Sequence, residues 1–157
     1  MDVPIYRTAI AADWIDYNGH LRDAYYVLIV SLAADALMDR LGMDEHYRRS
    51  TQQTLFTLEL HMHYLHEVKH SDIVSVNARV IGFDHKRIHA GFDLVCEGRE
   101  QPAASAELML IHVHQGATPR TAALPAGILA AVASLAQQSG PRGEHLPGSR
   151  RIELRAR

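Results

Sequence analysis

The stretch Ala24-Tyr25-Tyr26-Val27-Leu28-Ile29-Val30-Ser31-Leu32-Ala33-Ala34-Asp35-Ala36-Leu37-Met38-Asp39-Arg40-Leu41 decides the fold. Its residues are mostly Ala, Leu, Val, Ile and Tyr, and its only charges, Asp35, Asp39 and Arg40, fall in the second half. Asp23 stands where a side chain can cap a helix beginning at Ala24, and Gly42 stands where a helix stops at C′. A helix so apolar on all sides is buried over most of its surface rather than along one stripe. It needs a wide apolar partner, and a single curved sheet can supply one.

The rest of the chain offers that sheet. Val3 to Ala9 reads as a short strand before the helix. After it, Phe56, Leu58, Leu60, Met62 and Tyr64 alternate with Thr57, Glu59, His61 and His63, which predicts a long strand with one buried face. Ile73 to Ile81 is rich in Val and Ile. Lys86 to Cys96 alternates again, with Ile88, Ala90, Phe92, Leu94 and Cys96 on one side, and Ala103 to Val113 is a fourth run. The short gaps between them favour antiparallel neighbours. Pro125 to Gln137 predicts a C-terminal helix. The expected architecture is α+β: one domain over residues 1–137, a curved antiparallel sheet wrapped around a long central helix. Residues 138–157, with five arginines against two glutamates, read as a flexible tail. A sheet this long leaves edges, so pairing between copies is expected, as a homodimer or a dimer of dimers.

Composition narrows the function. The chain has 157 residues, 47% hydrophobic and 22% charged, which suits one globular core. A formal net charge of −2 gives no reason to expect nucleic acid or an anionic membrane as partner. Cys96 is the only cysteine, so no disulfide forms within the chain. No apolar run is long enough to cross a membrane. Met1-Asp2-Val3-Pro4 lacks the basic and apolar regions of a signal peptide, so the cytoplasm is the expected compartment.

The chemistry concentrates in Asp16-Tyr17-Asn18-Gly19-His20, between the first strand and the helix. Hydrolysis of a thioester needs a base or nucleophile, and donors for the oxyanion that forms. Asp16 suits the first role. Backbone N–H groups near Gly19, or at the start of the buried helix, suit the second. Asn18 and His20 can orient the water or the carboxylate. The plain alternative is an Asx turn at Asp16 and Asn18 with His20 on the surface. No Gly-x-Ser-x-Gly elbow, glycine-rich phosphate loop or cysteine pair occurs, so Ser-His-Asp hydrolysis and nucleotide-dependent chemistry have no support. The pairs His61/His63 and His112/His114, with His66 nearby, invite a metal. Alternation already puts His61 and His63 on a polar strand face, and neither a metal nor another cofactor is expected.

Asp16-x-Asn18-x-His20, followed by Tyr25 and an apolar helix, resembles the signature of hotdog-fold thioesterases. The Asp three residues before a Gly resembles the catalytic Asp of 4-hydroxybenzoyl-CoA thioesterase, and the Asp-x-Asn-x-His spacing that of plant acyl-ACP thioesterases. The plant enzymes follow the His with Val-Asn-Asn; here Leu21-Arg22-Asp23 stands, so no role of those asparagines carries over. Trp14 to Leu21, Ala24 to Val27 and Asp84 to His89 resemble betainyl-CoA thioesterases of bacterial carnitine breakdown. The resemblance implies a hotdog fold and release of glycine betaine from betainyl-CoA. It makes Asp16 the general base or nucleophile, with Asn18 and His20 its partners.

Such a substrate carries a quaternary ammonium, which donates no hydrogen bond and is usually met by aromatic faces. Trp14, Tyr17, Tyr25, Tyr26, Phe56 and Tyr64 are the candidate walls, although for each of the last four a core position is the simpler reading. Lys86 and Arg87 can meet the phosphates of coenzyme A. Glu67 reaches the site if its strand ends there. The rival functions are a thioesterase for another short or medium acyl-CoA, a non-catalytic acyl-CoA binding module, and a hydratase or dehydratase on the same fold.

Overall fold

The computed structural model describes residues 3–139; the remainder of the expected tail lies outside them. The elements follow the expected order, with additions. Strand β1 (Val3–Ala9) leads through a turn of 3-10 helix at Ala12–Trp14 to helix α1 (Asp23–Arg40). Helix α2 (Glu45–Thr51), strands β2 (Gln53–Tyr64), β3 (Ile73–Phe83), β4 (Arg87–Cys96), β5 (Ala104–His114) and the short β6 (Arg120–Thr121), and helix α3 (Ala126–Gln138) complete it.

Helix α1 starts and stops for local reasons. Asp23 is its first residue rather than its cap, and its Oδ1 accepts the Ala24 N–H at 2.9 Å. At the other end Gly42 has φ +88°. There the Met43 N–H reaches the Met38 carbonyl at 2.9 Å and the Gly42 N–H reaches that of Asp39 at 3.1 Å, the two bonds of a Schellman stop. Between these ends Ile29, Val30, Ala33 and Leu37 are fully buried, and the exposed residues are a strip through Ala24, Leu28, Ser31, Asp35 and Asp39 together with the terminal Asp23 and Arg40. Buried Val76 and Ala78 of β3, Ile88, Phe92 and Leu94 of β4 and Leu108 of β5 share its core. Each large side chain removed from water there contributes about 1.5–3 kcal/mol. This is the hotdog arrangement the sequence leads one to expect.

The sheet is antiparallel throughout, in the order β1-β3-β4-β5-β2, with β6 beside β5. Short gaps correctly make neighbours of β3, β4 and β5. They fail for β2, which pairs with β5 and is separated from β3 by two strands. Residues 65–72 therefore cross the end of the sheet. The Leu21 N–H bonds the Val68 carbonyl at 2.7 Å and His20 bridges to Lys69, so the crossing segment runs beneath the loop before α1.

Strand β2 also corrects the expected buried face. Its register slips between Thr57 and Glu59. The bulge at Leu58 shifts the alternation by one residue, so Phe56 pairs with Ile111 while Leu60 pairs with Leu108, on opposite faces of the sheet. Helix α2 is an addition: Asp44 caps it by accepting the Tyr47 N–H at 2.8 Å. The Tyr47 hydroxyl then contacts Gln53 and the buried ring of His112. Burial pushes the His112 imidazole down, which keeps it neutral in the core. Among the described residues no helix is long and apolar enough to cross a membrane.

Candidate active site

The loop between β1 and α1 folds as a tight turn closed by its first residue. The Asp16 N–H bonds the His20 carbonyl at 2.8 Å, and the Gly19 N–H bonds the Asp16 carbonyl at 3.1 Å. The side chain of Asp16 works inward as well: Oδ1 accepts the N–H groups of Asn18 at 2.8 Å and His20 at 3.2 Å. Gly19 sits at φ +80°, a conformation that side chains disfavour, which is why glycine closes this turn. The Asx turn is thus real, but it occupies only one carboxylate oxygen. Among the described residues Oδ2 of Asp16 has no hydrogen-bond partner.

Charge and exposure suit a reactive carboxylate. The His20 N–H holds the Asp16 carboxyl below the ordinary aspartate range against slight desolvation, helped by the Asn18 N–H and the nearby charges of His20 and Arg22. The group is ionised at neutral pH and borders an open cavity of about 920 Å³, the size range of small-molecule sites. The cavity lies between the Asp16 turn, the start of α1, the end of β2 and the crossing segment.

The sequence candidates divide around this cavity. Asp16, Tyr17, His20, Tyr26 and Tyr64 line it. Tyr26 and Tyr64 meet edge to face, with centroids 5.2 Å apart and planes at 90°. Tyr17 is 91% exposed at the tip of the turn. Trp14 and Tyr25 do not line the cavity; they stack on each other at 5.2 Å and 14°, and the Trp14 carbonyl takes the Arg22 N–H at 3.0 Å. They brace the loop.

Asn18 contributes its backbone N–H to the turn, and its amide does not line the cavity. The Gly19 N–H is spent inside the turn, so it is not an oxyanion donor in this conformation. From Asp16 to Arg22 only the Tyr17 N–H lacks a partner among the described residues. It joins the Asp23 N–H at the start of α1 as an available donor, because the Ala24 N–H is taken by Asp23 Oδ1 and the Tyr25 N–H by the Arg22 carbonyl, each at 2.9 Å. Phe56 lies near the far end of β2, on the opposite sheet face from Tyr64, because of the Leu58 bulge. Lys86 and Arg87 sit at the β3–β4 turn, at the other end of the sheet, where the Arg87 guanidinium meets Asp84 at 2.6 Å. Within one chain they do not reach the cavity.

The crossing segment brings in Glu67, expected here only if its strand ended at the site, and a cation that local reading missed. Glu67 lines the cavity, and its Oε2 meets His20 Nε2 at 3.0 Å. Lys69 and Arg99 add cations to the same wall. Arg99 is fastened to the Glu67 carbonyl at 2.8 Å and to Asp72 at 3.1 Å, while the Lys69 ammonium has no ion-pair partner among the described residues. The only sequence signal for these residues was the proximity of Glu67 to a strand end. As for metals, His61 pairs with Glu59 at 3.0 Å and His66 with Gln101 at 3.1 Å. Among the described residues no three metal-binding side chains converge.

Comparison with known proteins places the chain in a family. A betainyl-CoA thioesterase of Pseudomonas aeruginosa is 44% identical over 132 residues, covering 84% of this chain and 82% of that protein. An L-carnitine dehydrogenase/betainyl-CoA thioesterase of Agrobacterium fabrum is 33% identical over 96% of this chain, which spans only 31% of that longer protein. A Staphylococcus aureus protein solved in complex with CoA superposes with a TM-score of 0.83 at 25% identity, covering 99% of this chain and 98% of that one. The model of the thioesterase-like superfamily matches residues 10–132, and the chain belongs to that superfamily as a hotdog-fold thioester hydrolase.

Proposed function

We propose that the chain hydrolyses betainyl-CoA to glycine betaine and coenzyme A in the cytoplasm, as a step of carnitine breakdown. The observation that carries this reading is the free Oδ2 of Asp16, held by its own turn at the edge of a cavity that also contains the Tyr26–Tyr64 pair. The 44% identity to a betainyl-CoA thioesterase supports the choice of acyl group. Water adds across the thioester carbonyl, the C–S bond breaks, and coenzyme A leaves as a thiolate that takes up the released proton. Asp16 supplies the oxygen that meets the carbonyl or the water attacking it. The N–H groups of Tyr17 and Asp23 face the oxyanion. His20, braced by Glu67, orients the carboxylate and water. Lys69 and Arg99, which line the cavity, take the part first expected of Lys86 and Arg87, opposite the phosphates of coenzyme A.

The working unit in this proposal is a homodimer. Strand β2 is an edge strand, and it leaves Phe56 and Leu58 exposed at 38% and 58%. An apolar edge of that kind invites a second copy. Leu58→Glu is expected to shift the protein toward monomer in sedimentation, and an unchanged mass distribution would remove β2 from the interface.

The deciding experiment follows thiol release from betainyl-, acetyl-, medium-chain and aromatic acyl-CoAs. A preference for betainyl-CoA is expected. Equal rates on all would leave a generic thioesterase, and ligand-dependent stabilisation without thiol release would leave a binding module.

A further inference from the structure

We infer that Asp23 reads the positive charge of the acyl group and so sets substrate choice; this rests on the betainyl-CoA reading above. In a betainyl thioester the quaternary nitrogen is two bonds from the carbonyl carbon, about 2.5 Å through space. Wherever Asp16 meets that carbonyl, the ammonium lies in the same cavity, near the start of α1.

That place is unfavourable for a cation by default. The N-terminus of a helix carries partial positive charge, which helps an oxyanion and repels an ammonium. A substrate with both groups side by side therefore needs a local negative charge that leaves the oxyanion donors in place. Three carboxylates line the cavity, and two are committed: Asp16 to its turn and the reaction, and Glu67 to His20 at 3.0 Å. Asp23 remains. Its Oδ1 accepts the Ala24 N–H at 2.9 Å, and it forms no ion pair among the described residues.

The aromatic pair is fastened to the same residue. The Tyr64 hydroxyl donates to the Asp23 carbonyl at 3.3 Å, and the Tyr64 ring packs edge to face on Tyr26. The nearness of the Asp23 carboxylate, after burial, helps push the Tyr64 phenol up. A trimethylammonium group gains from an aromatic face and a carboxylate without needing a hydrogen bond from either. Asp23, Tyr64 and Tyr26 offer that combination at the first turn of the buried helix.

The test pairs betainyl-CoA with its neutral carbon isostere, 3,3-dimethylbutanoyl-CoA, in which a tert-butyl group replaces the trimethylammonium. Wild type is expected to prefer the charged substrate. Asp23→Asn keeps an oxygen for the Ala24 N–H, so the helix start survives, and circular dichroism melting checks it. In this variant the ratio of kcat/KM for betainyl-CoA to that for the isostere is expected to fall by about tenfold or more, mainly through KM, because the charge is present in ground and transition states alike. Asp23→Glu should hold the ratio closer to wild type. An unchanged ratio in Asp23→Asn, or an equal fall in Asp23→Glu, overturns the role of Asp23 while leaving the substrate assignment intact. A wild-type enzyme without preference for the charged substrate overturns both.

Discussion

The two ends of the sheet carry the same local device for different purposes. At one end Asp16 closes a turn by accepting the N–H groups of Asn18 and His20, and at the other Asp84 closes one by accepting those of Lys86 at 2.9 Å and Arg87 at 2.7 Å. Both turns are tied by a backbone bond from the aspartate N–H to the carbonyl of the last residue. Both carboxyls titrate below their ordinary range. The difference lies in the second oxygen. Oδ2 of Asp84 takes the Arg87 guanidinium at 2.6 and 2.8 Å, whereas Oδ2 of Asp16 has no partner among the described residues and its side chain borders the cavity. The Asp84 motif has all its acceptors filled; the Asp16 motif keeps one for the role proposed above.

The sharpest way to break this comparison is to neutralise each aspartate in turn. Asparagine keeps Oδ1 for the backbone N–H groups, so both variants are expected to fold. Asp16→Asn should lower kcat by about a thousandfold, the size expected when the reacting acid–base group is lost. Asp84→Asn should leave kcat within about twofold, since the Asp84 turn lies away from the chemistry. Thiol-release kinetics on the two purified variants decide it. Near-normal turnover in Asp16→Asn would sink the mechanism, and a large loss in Asp84→Asn would mean that the far end of the sheet reaches a site.

Much of this was legible before any coordinates. The eighteen residues from Ala24 to Leu41 announce a buried helix through composition alone, and Gly42 announces its end. Asp16-Tyr17-Asn18-Gly19-His20 announces a turn bearing reactive groups. What sequence could not supply is non-local or backbone-borne. The Leu58 bulge leaves no mark on a period-two pattern, yet it moves Phe56 to the other face. The pairing of β2 with β5 rather than β3 depends on the whole sheet, and that pairing carries Glu67 and Lys69 to the loop, while Arg99 arrives from the β4–β5 turn. Helix α2 is short and polar, with no apolar stripe to betray it, although Asp44 is a recognisable cap.

The crossing segment offers a smaller test of the same contrast. Glu67 meets His20 at 3.0 Å from a largely exposed position, and in the proposed mechanism it positions rather than reacts. Glu67→Gln retains an oxygen for the imidazole and should cost kcat about twofold to threefold, while Glu67→Ala should cost about tenfold, as for a hydrogen-bonded contact whose loss lets the ring wander. KM should hold in both. A loss appearing only in KM would make Glu67 a substrate contact instead.

The smallest expected effect is the pH dependence of stability at the Asp84 end. Partial burial pushes the Asp84 carboxyl up, but the N–H of Lys86 and the guanidinium and N–H of Arg87 outweigh it, so its native value lies below that of the unfolded chain. A depressed carboxyl contributes stability above its unfolded value of about 3.9 and loses it as pH falls through the native one. Asp84→Asn should therefore be less stable than wild type by about 0.5–1 kcal/mol at pH 7, with the gap closing in acid. Urea denaturation at neutral pH and near pH 3 measures it. A gap that stays constant would show that the Asp84–Arg87 pair acts through shape rather than charge. The same sign applies to catalysis at the other end: Asp16 is charged throughout the neutral range, so any fall in rate between pH 7 and 5 belongs to a different group.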